Sequence, residues 1–324
     1  MRDTPIKFAK NILKDVSRSF ALTIPMLDKI IKDEVLVNYL QDRILDNFED
    51  EIQPPDLKLQ KRMMDKVSRI FSPEDYDRQE DFKEIKAKSA LIKDADLSRL
   101  NYNIDIIYQA YQSFDLETQK ISHKWLQEMK LGMQKYLTKT VENFTELDEY
   151  CYYVAGTVGG FLTELIIYKL DFAAEDKEIL LDNFNEAGLF LQKVNLIRDI
   201  KDDLENREKH FWPLKELNIT EEELLNRENE SRVMEALDKM LDDLLKHTAA
   251  LKKYYHALPQ SLSGYKKFFA VNNALGLATV EKLRDNTAVF YGDKAVKVSK
   301  LAFANILRAP EKYFLKYCSK YITD

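Results

Sequence analysis

Two short acidic stretches in this sequence are nearly the same: Asp46-Asn47-Phe48-Glu49-Asp50 and Asp199-Ile200-Lys201-Asp202-Asp203. Each has carboxylates at i, i+3 and i+4, which fall on one face of a helix about 5–6 Å apart. Two such patches facing each other would gather six carboxylates in one cleft. A like-charged pair at ~4 Å costs about 4 kcal/mol at an effective dielectric of ~20, so a positive partner is required. Oxygen donors without clustered His or Cys suit a hard cation such as Mg²⁺, which leaves coordination positions to substrate phosphates.

The spacing is not specific by itself, because Asp77-Arg78-Gln79-Glu80-Asp81 repeats it. That third match follows a polar stretch, Ser72-Pro73-Glu74-Asp75, and reads as a solvated acidic turn. The other two are reached through apolar helical segments, Tyr39–Leu45 and Gly188–Arg198, each carrying an Arg beside the acids (Arg43 and Arg198). Acids beside Arg in apolar surroundings are a functional-site pattern.

The elements that must position these acids read as helices throughout. The chain has 324 residues, 45% hydrophobic, with only 8 Gly and 8 Pro, so tight turns are scarce. Helical periodicity predicts elements over 6–16, 33–50, 56–71, 82–93, 96–112, 115–139, 150–170, 176–203, 221–258, 264–285 and 295–321, with 72–81 a polar connector. Residues 150–170 are apolar nearly all round and carry Ala155, Gly156, Gly159 and Gly160, which allow close approach. No convincing strand, internal repeat or low-complexity linker is present, so one all-α domain over 1–324 is expected.

Net charge is −6 with 32% charged residues, which provides no basic field for nucleic acid. Cys151 and Cys318 form no disulfide framework, and a reducing, cytoplasmic compartment is the default. Met1-Arg2-Asp3-Thr4-Pro5 lacks the apolar core of a secretory leader. No run of 18 apolar residues is found, so no bilayer span is expected. Phosphate-binding glycine loops, nucleophile elbows and C-x-x-C are absent, and His123, His210, His247 and His256 lack metal-ligand spacing; His247 and His256 read as surface residues.

Taken in order, the motifs resemble those of the squalene/phytoene synthase family, and its squalene branch in particular. Ser17-Arg18-Ser19-Phe20-Ala21, Tyr39-Leu40…Arg43-Ile44-Leu45-Asp46-Asn47-Phe48-Glu49-Asp50, Glu128-Met129…Gly132-Met133, Tyr150–Gly159, Gly188-Leu189-Phe190-Leu191-Gln192-Lys193…Asn195…Ile197-Arg198-Asp199 and Phe211-Trp212-Pro213 carry the likeness over residues 17–213. The resemblance implies an all-α class I terpenoid synthase bundle around a central cleft. It implies a Mg²⁺-dependent prenyltransferase that joins two farnesyl diphosphates head to head through presqualene diphosphate, ending in squalene with NADPH. Asp46, Glu49, Asp50, Asp199, Asp202 and Asp203 would hold Mg²⁺. Ser17, Arg18, Ser19, Phe20, Tyr39, Arg43, Gln192, Asn195, Arg198 and Lys209 would bind or shape the site of the isoprenyl diphosphate. Tyr153 matches the tyrosine of proton handling or cation control, and Phe20, Phe190, Phe268 and Phe269 are candidate walls.

The sequence departs from the family in places. Lys209-His210 stands where Arg-Glu is usual, and Asp42 where an apolar residue is usual. Lys297-Val298-Ser299-Lys300 replaces a stretch with an intervening Arg, leaving Lys297 and Lys300 as the NADPH phosphate site. The eukaryotic membrane anchor is not seen, which leaves peripheral membrane contact for product release. The alternatives are release of presqualene diphosphate, a water-quenched or phytoene-type product, or a non-catalytic assembly-factor homologue; the intact acid patches argue against the last.

Overall fold

The structure is a computed structural model that describes residues 4–17, 19–52, 54–207 and 209–322. All extended elements are helices, and the β pairing among the described residues is one isolated bridge, Ile52–Ile92. The all-α expectation holds. The chain sorts into two compact units: residues 1–139 with 160–171, and residues 140–159 with 172–324.

In the first unit the Lys32–Asp50 helix is central. It packs against the Pro5–Val16, Leu57–Ile70, Ala95–Tyr102, Ile104–Tyr111 and Leu116–Tyr136 helices. Val37, Leu40, Ile44, Leu45 and Phe48 are fully buried on it, each worth roughly 1.5–3 kcal/mol of burial. Beyond the first turn, what is not buried is one stripe, Tyr39, Asp42, Arg43, Asp46 and Asp50, of which only Asp50 is fully exposed. Its neighbours start where side-chain oxygens cap them. Thr4 accepts from the Lys7 N–H (3.3 Å), and Asp56 from those of Lys58 and Leu59 (both 3.0 Å).

Residues 72–81 are more ordered than a solvated connector. Arg78 is buried and donates to the carbonyls of Ile70, Ser72, Glu74 and Tyr76. The next helix starts early, at Gln79, whose N–H is accepted by Asp77 (3.0 Å). The solvated reading of the third acid match therefore fails at Asp81. That residue is buried, and it accepts from Lys66 (2.6 Å), Arg69 Nε (2.8 Å) and Tyr76 (3.1 Å). The helix expected over 96–112 breaks at Asn103, whose side-chain amide donates to the Arg99 carbonyl (2.7 Å).

In the second unit Phe144–Cys151 runs into a π-helical turn, Tyr152–Gly156, before α-helix resumes at Thr157. By length and composition alone, Phe144–Lys169 is long and apolar enough to cross a membrane, and 56% of its most apolar window is buried inside the protein, as in a core helix. The helix expected over 176–203 is broken into Ala174–Asp182, Glu186–Arg198 and Ile200–Asp202, followed by a second π turn, Asp203–Arg207. The first break is set by close packing. A Cβ on Gly159 would lie 1.9 Å from the Phe184 carbonyl oxygen, and one on Gly188 would lie 2.3 Å from that of Ala155. The Ser263–Leu283 helix is buried along most of its length and packs on Glu186–Arg198, where Phe190 fills the space over Gly276. Residues 295–299 are not helical, and the final helices are Lys300–Arg308 and Pro310–Tyr321.

Candidate active site

The first acid patch is assembled within the first unit. Ser17 ends the Pro5–Val16 helix, and its hydroxyl accepts from the Phe20 N–H (3.1 Å) and bonds to Tyr39. Phe20 stacks obliquely on Tyr39, with centroids 5.1 Å apart. Ser19 is exposed and receives the Thr23 hydroxyl on its carbonyl. Burial raises the Tyr39 phenol above its ordinary pKa. Arg43, one turn on, pairs with Asp46. Burial works against the Arg43 charge, but Asp46 and the surrounding acids outweigh it and hold it firmly protonated. Its Nε is buried without a hydrogen-bond partner.

The acids of this patch differ in exposure. Asp50 is exposed, Asp46 half-buried, and Glu49 only 4% exposed. Asn47, between them, turns inward and donates to Asn101 (2.7 Å). Asp42 accepts from Asn38 (2.8 Å), and its pKa is pushed up to about 8 by burial, with the Asp46 charge adding to it. Asn38 and Gln41 in turn receive the Ser122 hydroxyl. Nothing in the acid spacing pointed to this polar network.

The second patch belongs to the second unit. The Glu186–Arg198 helix buries Phe190, Val194, Leu196 and Ile197 and leaves Gln192, Asn195 and Arg198 on its open side. It ends at Asp199, so the acids lie around a helix break and not on one straight face. Arg198 grips Asp199 through Nε (2.7 Å) and Nη2 together, and that bond raises the Arg198 pKa. Asp202 is exposed and accepts from Asn206 (2.8 Å); Asp203 is 9% exposed and opens the π turn. The aromatic pair that follows seals this end. Trp212 Nε1 donates to the Leu196 carbonyl (3.0 Å), and Phe211 stacks on Tyr150 with centroids 3.7 Å apart. The Lys209 ammonium lies over Phe211, 5.0 Å from the ring centroid.

Tyr153 sits half-buried in the Tyr152–Gly156 π turn, a distortion frequent at functional sites. Phe268 and Phe269 are buried; Phe269 stacks on Tyr254 and meets Phe314 edge-on, as part of the core. Lys297 and Lys300 are exposed, flanking Ser299, which caps the last-but-one helix by accepting from the Ala302 N–H (3.2 Å). Arg18 lies outside the described residues. His247, expected at the surface, is buried.

Among the described residues no three His, Cys, Asp or Glu side chains converge as a complete metal cage. The donors nonetheless fit Mg²⁺ shared with phosphate. The exposed Asp50 and Asp202, with the half-buried Asp46 and Asp199, are oxygen donors, and the orphaned Arg43 Nε is a buried donor suited to an anion. Two exposed ammonium groups and a helix N-terminus at Lys297–Lys300 suit a phosphate.

An all-helical fold with two Arg-backed, acid-rich helix ends defines the class as a helical isoprenoid synthase fold. The chain belongs to the squalene/phytoene synthase family, whose model matches residues 13–302. It is 31% identical over 293 residues to a squalene synthase of Nicotiana benthamiana and 32% identical over 302 residues to one of Solanum lycopersicum, in each case 88% of this chain and 66% of the relative. It is 29% identical to squalene synthase LSS of Botryococcus braunii, covering 94% of this chain and 63% of that protein. The chain thus spans slightly less than two-thirds of the length of these relatives. Among solved structures, TcSQS in complex with the ligand BPH1237 superposes with a TM-score of 0.85 at 27% identity, covering 98% of this chain and 90% of that one. A dehydrosqualene synthase shares the fold with a TM-score of 0.63 at 17% identity, covering 97% of both chains.

Proposed function

We propose that the chain is a Mg²⁺-dependent prenyltransferase that condenses two farnesyl diphosphates head to head through presqualene diphosphate, and that it forms squalene when NADPH is bound. The observation that carries this reading is the pairing at each patch of a half-buried Arg with a half-buried Asp: Arg43 with Asp46, and Arg198 with Asp199. An arginine that spends one face on the carboxylate keeps further donors for a diphosphate.

Asp46, Asp50, Asp199, Asp202 and Asp203 would hold Mg²⁺, with Glu49 behind them. Bound Mg²⁺ offsets the charge that builds on departing diphosphate. Arg43 at the first patch, and Gln192, Asn195 and Arg198 at the second, would donate to diphosphate oxygens where charge develops. When the C1–O bond of one substrate breaks, diphosphate leaves with the electron pair. The second substrate's double bond attacks the allylic cation, and loss of a proton closes the cyclopropane. Tyr153, in the π-helical turn, would manage that proton or the cation. NADPH, when bound, supplies the hydride that ends the second half-reaction. Lys297 and Lys300 would meet its phosphate.

A second reading, release of presqualene diphosphate, is favoured by Ser299. Its hydroxyl is engaged as a helix cap, and it stands where the family places an Arg. We further propose that 1–324 works as one catalytic domain in the cytoplasm, with contact to membranes for product release. The test is purified protein with farnesyl diphosphate and Mg²⁺, with and without NADPH, and products identified by mass spectrometry. Squalene only with NADPH is expected. A product ratio that never responds to NADPH removes the hydride step, and no diphosphate release at all removes the enzyme reading.

A further inference from the structure

Lys193 lies two residues before Asn195 and five before Arg198, yet it is 1% exposed. Its ammonium meets three other elements of the second unit, one through an ion pair and two through hydrogen bonds. Asp148 comes from the Phe144–Cys151 helix, Asp243 (2.5 Å) from Glu230–Leu245, and His247 Nε2 (3.0 Å) stands at the start of Thr248–Ala257. An ammonium has three protons and accepts nothing. Its contact with His247 therefore needs a lone pair on Nε2. That leaves the imidazole neutral, with its proton on Nδ1, which faces Glu186 Oε2 at 2.7 Å. Glu186 is the first residue of the helix that carries Lys193. The imidazole thus ties two points of one helix, two turns apart, to the wall behind it.

We propose that Lys193 and the Nδ1-protonated, neutral His247 form a positioning clamp. It sets the rotation and axial placement of the Glu186–Arg198 helix, so that Gln192, Asn195, Arg198 and Asp199 stay on its open side. Removing the lone pair leaves the ammonium paired with Asp148 and Asp243 but one acceptor short, and an unsatisfied buried donor is costly. The helix relieves that cost by turning, which moves the four open-side residues together. This role rests on the reading that those residues bind diphosphate; the tautomer does not.

The test compares the wild type with His247→Gln and His247→Leu. A glutamine amide can accept from Lys193 with its oxygen and donate to Glu186 with its nitrogen; leucine can do neither. Long-range ¹⁵N–¹H spectra, with the His247 signals identified by their loss in His247→Gln, should show Nδ1 protonated and Nε2 bare at neutral pH. A proton on Nε2 overturns the clamp. Affinity for inorganic pyrophosphate with Mg²⁺ should stay within about threefold of wild type in His247→Gln and fall at least tenfold in folded His247→Leu. With farnesyl diphosphate, KM should rise by more than kcat falls. Unchanged pyrophosphate affinity in folded His247→Leu overturns the proposal. Should the wild type bind pyrophosphate and show the stated tautomer but make no squalene or presqualene diphosphate, the functional reading fails and the clamp stands.

Discussion

Alanine substitutions at three glycines of the second unit test whether close backbone packing builds the Tyr153 region. At Gly159 a Cβ would sit 1.9 Å from the Phe184 carbonyl oxygen, and at Gly188 it would sit 2.3 Å from that of Ala155. A Cβ needs at least about 3.0 Å, so the facing backbone must retreat by about 1.1 Å and about 0.7 Å respectively. Neither obstacle is a side chain that can rotate away. Overpacking typically costs ~1–3 kcal/mol, and these two belong at the upper end: about 3 kcal/mol for Gly159→Ala and about 2 kcal/mol for Gly188→Ala. At Gly156 the nearest atoms are side-chain carbons of Leu189 and Tyr152, both at 3.1 Å. That crowding is offset by the ~0.5–1 kcal/mol gained on replacing a helical glycine, so Gly156→Ala should be nearly neutral. At roughly 2 °C per kcal/mol for a chain of this size, melting by circular dichroism should fall about 6 °C, about 4 °C and at most about 1 °C. Diphosphate release should fall with the first two, because Tyr153 lies on the displaced turn. Equal melting temperatures for Gly159→Ala and Gly156→Ala would refute the packing argument.

Asp46→Asn and Asp199→Asn should each abolish condensation in folded protein, whereas Asp77→Asn, which keeps an oxygen for the exposed cap on the Gln79 N–H, should leave it unchanged; near-normal turnover in either of the first two, measured as diphosphate release, sinks the two-patch reading. The Asp42 carboxyl is held protonated up to about pH 8, against about 3.9 in an unfolded chain. The folded state therefore binds the extra proton between these values, and the stability this contributes is present below pH ~4 and lost as pH rises toward 8, by up to ~1.4 kcal/mol per unit. Asp42→Asn should accordingly melt higher than wild type at pH 8 without Mg²⁺ and almost equally at pH 4; a constant difference across that range discards the titration. Ser299→Arg loses the cap on Ala302, worth about 1 kcal/mol, and should still shift product toward squalene at a fixed NADPH concentration, as read by mass spectrometry.

Much of the architecture is legible in single-helix patterns. The apolar periodicity of residues 33–50 located the central helix of the first unit to within one residue, because that helix is buried on all but one stripe. Both Arg–Asp pairs join residues at most three apart, so neighbouring types in the sequence already implied them. Phe211-Trp212-Pro213 was recognisable as a motif, but its work was not, since Trp212 bonds a carbonyl sixteen residues earlier. The third acid match illustrates the limit of composition: Asp77 is solvated as read, while Asp81, four residues on, is buried against Lys66 and Arg69.

The sequence by itself determined the all-helical class, the two acid-rich stretches with their arginines, and the family, because each of these is written in local spacing or in an ordered set of short motifs. The tertiary structure alone decided where the 176–203 segment breaks, which acids lie open or buried, and that Lys193 meets His247. Helix propensity carries no record of a carbonyl from Phe184 resting on Gly159. A buried ammonium chooses acceptors that lie 45 and 54 residues away along the chain, at Asp148 and His247. Those choices follow from packing density and from the cost of an unpaired buried charge, which exist only once the helices have met.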